Sequence, residues 1–362
     1  MRIVQLLPEL NEGGVERGVV ELNREFVKCG HESIVISAGG KLAGQIASDG
    51  GRHITFDVCS KNPLTVLRRV VTLRRLFREL RPDVLHARSR VPAWLAYLAN
   101  RNLGIAFVTT VHGFNSVSLY SRIMTMGDRV ICVSSAVKNY IMKHYRTEES
   151  KITVIPRGVD LEKFNPEKLD DIFMAEFISR FGLEGKTVVA SVGRITQLKD
   201  YETFIRAIAL LKGSNPGIVG LIVGGVREDK ARYAQSLHDL AMELGVGDAV
   251  IFTGSQSKIA EIYRLSEVVV SASKKPESFG RSLAEAIAVG TPVVATNHGG
   301  VKDIIDDGVN GAFFETGDAE GLAEQIRRVS AYRFDGYRYI SERFSLSNML
   351  EQTLKIYKEV TE

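Results

Sequence analysis

Pro276-Glu277-Ser278-Phe279-Gly280-Arg281-Ser282-Leu283-Ala284-Glu285-Ala286, followed by Gly290-Thr291-Pro292-Val293-Val294-Ala295-Thr296, is the stretch on which the fold turns. Upstream, residues 268–272 are mostly apolar and read as a buried strand. Phe279 or Gly280 opens a helix that ends near Gly290, and residues 292–296 start the next strand. This is a strand–loop–helix–strand unit of the parallel α/β type. Two carboxylates sit in it, Glu277 in the loop and Glu285 in the helix. The loop ends at a helix start, where free backbone N–H groups favour an anion, phosphate in particular. Carboxylates accept hydrogen bonds from hydroxyl pairs. Two of them flanking a phosphate-binding turn suit a ligand with hydroxyls on either side of a phosphate, which is the layout of a nucleotide sugar.

The same run resembles the Glu–seven residues–Glu motif of the retaining glycosyltransferases of family 4, and the Gly290-Thr291-Pro292-Val293-Val294 tail is similar to theirs. The resemblance implies the GT-B fold, two doubly wound parallel-sheet, Rossmann-like domains. It covers nearly the whole chain and is densest in the C-terminal half. It sets domains at 1–165 and 166–344, with the helix at about 345–362 returning to the first.

Length and composition agree with two domains. The chain has 362 residues, 44% of them apolar, enough for two cores. No run is long and apolar enough to span a bilayer. Residues 1–7 read as a first strand, too short for a signal peptide. Cys29, Cys59 and Cys132 share no close spacing, which argues against a disulfide framework or zinc site and for a reducing cytosol. The net charge of +4 conceals an asymmetry: residues 1–165 carry +9 and residues 166–362 carry −5. A basic half suggests an anionic partner, a membrane surface or a phosphate-bearing acceptor. Nucleic acid is the rival, but no aromatic-interleaved basic segment accompanies the charge.

In chain order, residues 2–7 predict a strand, Gly13-Gly14 a βα turn where backbone approaches a ligand closely, and Val15, Val19, Leu22 and Phe26 a helix face. In the resembled family a glycine-rich loop here faces the donor diphosphate. Residues 61–81 predict a helix with Leu64, Leu67, Val71, Leu76, Phe77 and Leu80 inward and Arg68, Arg69, Arg74, Arg75, Arg78 and Arg81 outward. That basic face fits an anionic leaflet and equally a solvated face on a sheet-packed helix. His112 ends the strand at 107–111, where parallel sheets bind ligands; the resemblance places it by the donor sugar. Arg157 stands where the family usually has Asn.

The second series opens with a strand at 187–191 and then Arg194 and Lys199, a planar fork and a point charge suited to diphosphate oxygens. Both match the family's donor-binding pair. The family's acidic residue after the strand at 220–225 is replaced by Gly224-Gly225-Val226-Arg227. In the resembled family, backbone near the turn at 254–255 meets the nucleotide base, which makes Ser255 and Gln256 the candidates there. The resemblance also assigns sugar hydroxyls to Glu277, the ribose diol to Glu285, and phosphate to the turn Ser278, Phe279, Gly280 and Arg281. The expected activity is retaining transfer of a hexose or N-acetylhexosamine from a nucleoside diphosphate sugar, UDP favoured, to a glycan or lipid-linked hydroxyl in envelope or lipopolysaccharide synthesis. No cofactor or metal is expected, since the chain has no Asp-x-Asp. The expected location is cytoplasmic or peripheral on the inner leaflet. An epimerase of the same fold and a non-catalytic sugar-nucleotide-binding subunit are the alternatives.

Overall fold

A computed structural model describes residues 1–11 and 13–362. The chain forms two compact units, Met1–Gly158 with Leu346–Glu362, and Val159–Ser345.

In the first unit, β1 (Arg2–Leu6), β2 (Glu32–Ser37), β3 (Arg52–Thr55), β4 (Val84–Ala87), β5 (Ala106–Val111), β6 (Arg129–Cys132) and β7 (Ile152–Val154) form one sheet of order β3-β2-β1-β4-β5-β6-β7. Every pairing is parallel. Helices α1 (Gly14–Lys28), α2 (Ala43–Ser48), α3 (Val66–Leu80), α4 (Arg90–Asn100) and α5 (Ser135–His144) make the crossovers. Alternation along the strands divides the core between two faces. Ile3, Val84, Val108 and Ile131 meet Leu22 and Phe26 of α1 and Met349, Ile356 and Tyr357 of the C-terminal helix, Leu346–Thr361. Val4, Leu85, Phe107 and Val130 meet Leu73 and Phe77 of α3 and Ala93 and Ala96 of α4. Both faces are covered, which is why apolar residues dominate successive positions of these strands.

In the second unit, β8 (Thr187–Val192), β9 (Ile218–Val223), β10 (Val250–Gly254), β11 (Val268–Ser271), β12 (Val293–Thr296) and β13 (Gly311–Phe314) run in order β10-β9-β8-β11-β12-β13, again all parallel. Helices α6 (Asp171–Phe181), α7 (Tyr201–Lys212), α8 (Ala231–Glu243), α9 (Ile259–Leu265), α10 (Arg281–Ala288), α11 (Ala319–Val329) and α12 (Gly336–Phe344) cover the sheet. Winding reverses between β1 and β4 in one unit and between β8 and β11 in the other. The carboxyl ends of those pairs are the switch points where such sheets bind ligands.

The stretch at 164–185 contains α6, whose first turn is capped by Asp170 accepting from the Phe173 N–H at 2.9 Å. Two expectations need correcting. Val159 and Phe164, placed by the sequence in the first domain, pack in the core of the second unit. The helix read over 61–81 begins at Val66, after a 3₁₀ turn over Pro63–Thr65. Phe77 and Leu80 go inward as expected and Leu73 joins them, while Leu64 is 89%, Leu67 75% and Val71 51% exposed. Arg69, expected on the outer face, is buried, donating to the carbonyls of Asp57 and Asn62 at 3.4 and 3.3 Å.

Candidate functional site

The second unit gathers its polar side chains in two loops tied to each other. The loop after β8 carries Arg194 and Lys199, and the Tyr201 hydroxyl holds its start by donating to the Gly193 carbonyl at 2.7 Å. The loop after β11 carries Ser273, Lys274 and Glu277. Lys274 N–H donates to the Leu198 carbonyl at 2.9 Å, and its ammonium lies 3.1 Å from buried Asp200. These links set Lys199 Nζ 2.6 Å from Glu277 Oε1, to which the Ser273 hydroxyl also donates at 2.7 Å. Burial alone would raise the Glu277 pKa. The Lys199 charge and its hydrogen bond, then Ser273 and the His298 charge, outweigh burial and hold it below the usual carboxylate value. Oε2 of Glu277 makes no hydrogen bond among the described residues and is open to a ligand hydroxyl.

Backbone fixes the same corner. Glu277 pairs with Gly299 in a parallel bridge, and the Gly300 N–H donates to the Glu277 carbonyl at 2.7 Å. Gly299 has φ +79°, and a Cβ there would lie 2.5 Å from that carbonyl, so only glycine fits. Gly280, with φ +104°, turns the chain into α10. Phe279 is buried against Phe344, so its backbone alone can face a ligand; Ser278 is half-buried. Glu285, one turn into α10, is 4% exposed. Its oxygens accept from Arg281 Nε at 2.9 Å and the Tyr263 hydroxyl at 3.2 Å. Arg281 and Glu285 therefore form a pair inside the helix, and a ribose on Glu285 would share that carboxylate. Arg194 is exposed and has no ion pair among the described residues. Ser255 is exposed after β10, and Gln256 donates to the Thr253 carbonyl at 2.7 Å.

The first unit holds the rest. Gly13 caps α1 in an ordinary extended conformation. A Cβ on Gly14 would lie 2.9 Å from Nη1 of Arg157, the movable end of that side chain. Arg157 donates to the Gly14 carbonyl, and its Nη2 is 3.3 Å from His112 Nδ1. Burial, then the cations Arg157 and Arg88, push the His112 pKa well below its usual value, so the ring is neutral at pH 7. Its Nε2 is enclosed and has no hydrogen-bond partner among the described residues. Sequence reading missed Ser273, Lys274, Tyr201, Arg88 and Arg90. Only adjacency to the ends of β8, β11 and β4 marks them.

Each unit is thus a doubly wound parallel sheet with cationic and hydroxyl-binding groups at its switch point, the design of a GT-B enzyme that handles a phosphorylated sugar. Family models match the chain in two pieces: "Glycosyltransferase Family 4" over residues 12–163 and "Glycosyl transferases group 1" over residues 174–342. A D-inositol 3-phosphate glycosyltransferase of Saccharomonospora viridis is 30% identical over 307 residues, 76% of this chain and 70% of that protein. A glycosyltransferase from Rickettsia africae ESF-5 is 30% identical with a TM-score of 0.93, over 100% of this chain and 98% of that one. Anabaena HepE, solved in complex with UDP and glucose, shares the fold at 20% identity with a TM-score of 0.85, over 99% of both chains. The chain belongs to the group 1 glycosyltransferases. It is a glycosyltransferase that works from a nucleotide-sugar donor.

Proposed function

We propose that the enzyme transfers a hexose or N-acetylhexosamine from a UDP-sugar to a hydroxyl of a glycan or lipid-linked acceptor of the cell envelope, lipopolysaccharide included, with retention and without a metal. The observation that carries this is the Lys199–Glu277–Ser273 cluster beside the start of α10, with Arg194 exposed nearby. As the anomeric C–O bond breaks, negative charge grows on the β-phosphate. Arg194, Lys199 and the first N–H groups of α10 stabilise it, supplying the charge a divalent ion would otherwise bring. Glu277 Oε2 takes a sugar hydroxyl. Its other oxygen is held by Lys199 and Ser273, so the carboxylate positions the sugar and the acceptor attacks from the face the diphosphate leaves. The departing phosphate oxygen takes the acceptor's proton. UDP is favoured because HepE was solved with it, and a phosphorylated or lipid-linked acceptor fits both the relatives' inositol 3-phosphate name and the basic first half.

The same reading puts the enzyme in the cytoplasm, at the inner leaflet. Arg68, Arg74, Arg75 and Arg78 of α3 would meet anionic lipid there, beside exposed Leu64 and Leu67.

A panel of nucleotide sugars tests the reading. A ligand at ~100 times its Kd adds about 2.7 kcal/mol to stability, so the true donor should raise the melting temperature well above the others. Proton NMR of the product should show the donor's anomeric configuration, and excess EDTA should leave turnover intact. Inversion, or activity lost to EDTA and restored by Mn²⁺, would overturn the mechanism. Donor binding with no transfer to any glycan extract would favour a binding subunit.

A further inference from the structure

Asp200 breaks two local preferences at once. It stands at the start of α7, where an aspartate ordinarily keeps an extended backbone and caps the helix by accepting from an N–H two or three residues on. Here its side chain makes no capping bond, and its backbone is left-handed, at φ +51° and ψ +51°. Outside glycine that conformation is uncommon and persists where the surroundings hold it. At 1% exposed, the residue is also withdrawn from water, and a buried carboxylate needs partners. They come from other parts of the unit. Oδ1 lies 3.1 Å from the Lys274 ammonium, and Oδ2 accepts from the Thr203 hydroxyl at 2.8 Å. Glu202 lies 3.7 Å from the same ammonium and accepts from the Tyr233 hydroxyl of α8 at 2.9 Å.

The loops after β8 and β11 thus exchange lysines. The first gives Lys199 to Glu277 of the second, and the second gives Lys274 to Asp200 of the first. Lys274 grips the residues on both sides of Lys199: its N–H donates to the Leu198 carbonyl at 2.9 Å, and its ammonium meets Asp200. The left-handed turn at Asp200 follows Lys199 directly and sets where the Lys199 stem leaves the chain. That stem crosses Gly193 so closely that a Cβ there would lie 3.0 Å from Lys199 Cε. The two pairs differ in surroundings. Lys199 and Glu277 keep 27% and 24% of their side chains open, whereas Asp200 is sealed. The open pair can meet a ligand, and the sealed carboxylate is placed to hold the loops. Local preferences given up in this way are expected beside functional groups.

We infer that Lys274 and Asp200 are positioning residues, whose ion pair holds Lys199 against Glu277 in the geometry that sugar transfer uses and acts through those two side chains rather than on the donor. The inference rests on the transferase reading and adds two residues to its machinery. The Glu277 carboxyl reports on the pair. Its titrating neighbours are Lys199, Tyr201 of α7 and His298 from the loop after β12, and carbon-13 NMR of the ligand-free protein follows it. Asp200→Asn decides by sign. Asparagine tolerates the left-handed backbone and keeps an oxygen for Thr203. By charge alone, losing a negative neighbour lowers the Glu277 pKa; losing the hold on Lys199 raises it. A rise is expected, and a fall or no shift overturns the inference. Lys274→Met/Asp200→Asn removes one charge of each sign and leaves no unpaired carboxylate behind, so it folds where a single variant fails, and it should raise the pKa too. With the nucleotide sugar that stabilises the protein most, Lys274→Met should lower kcat roughly tenfold or more while donor KM stays within about threefold. Lys274→Arg should recover most of that loss. The double variant should lose no more than Lys274→Met, because both remove one interaction. Additive losses would overturn the inference. So would a raised KM at unchanged kcat, which would place Lys274 on the donor itself. A wild-type protein that transfers sugar from no nucleoside diphosphate sugar would instead refute the transferase reading, and the carboxyl titration would still decide whether the ion pair holds Lys199.

Discussion

Glu277 stays ionised in an enclosed corner because Lys199 stands 2.6 Å away. Removing that charge leaves the burial term unopposed, so Lys199→Met should raise the Glu277 pKa. The sign follows from linkage: a folded pKa held below the unfolded one stabilises the protein above the unfolded pKa, and that stability is lost as pH falls through the folded pKa. In Lys199→Met the loss should begin at higher pH. Carbon-13 NMR of the labelled carboxyl reads the shift directly, and a titration identical to wild type would dismiss the pairing. On the chemical side, Arg194→Ala and Lys199→Ala should each lower turnover by roughly a hundredfold or more, with circular dichroism unchanged. Turnover within a few-fold of wild type in both would remove the diphosphate role.

At the scale of an element, α3 shows how packing decides what a pattern means. Its outer face carries Arg68, Arg75 and Arg78, with Arg74 half-buried, and Leu64 and Leu67 stand in the open just before and after the helix start. Basic residues near an anionic leaflet contribute about 1 kcal/mol each, and exposed leucines add apolar contact. Reversing Arg68, Arg74, Arg75 and Arg78 to glutamate should abolish salt-sensitive co-sedimentation with anionic vesicles and leave donor binding intact. Equal partitioning of the wild type onto neutral and anionic vesicles would mean the face is only solvated. Arg69 is left out of that set because its guanidinium anchors the segment around Asp57 and Asn62.

For the whole molecule, the C-terminal helix is the device that makes the first unit discontinuous in sequence. It lays Met349, Ile356 and Tyr357 on the sheet, and Arg129 pairs with Glu359 at 3.2 Å. Tyr357 is fully buried against Phe26 and His86. Tyr357→Ala should cost roughly 3–5 kcal/mol of that unit's stability, as for other large buried rings. Trp94, the chain's single tryptophan, lies in the same unit, so its fluorescence reports the denaturant midpoint there. An unchanged midpoint would show that the helix adds little to the sheet it covers.

Strand and helix periods, the strand–loop–helix around Glu277 and Glu285, and the βα turns at Gly13-Gly14 and Arg194–Lys199 were legible from residue order alone, because each is a local pattern whose chemistry lies within a dozen positions. The resemblance that these motifs carry implied the two parallel sheets and the class of enzyme. Tertiary structure decided the rest. It turned Arg69 inward, onto the carbonyls of Asp57 and Asn62, and left Leu64 outward in the 3₁₀ turn before α3. It paired Glu285 with Arg281 and Tyr263, and brought Ser273 and Lys199 onto one oxygen of Glu277 from loops that the sheet order, not the sequence, makes neighbours. It also buried Arg88 beside Gln5 and Thr110. Burial and counter-ions depend on what packs from distant strands, and no window of sequence contains that information.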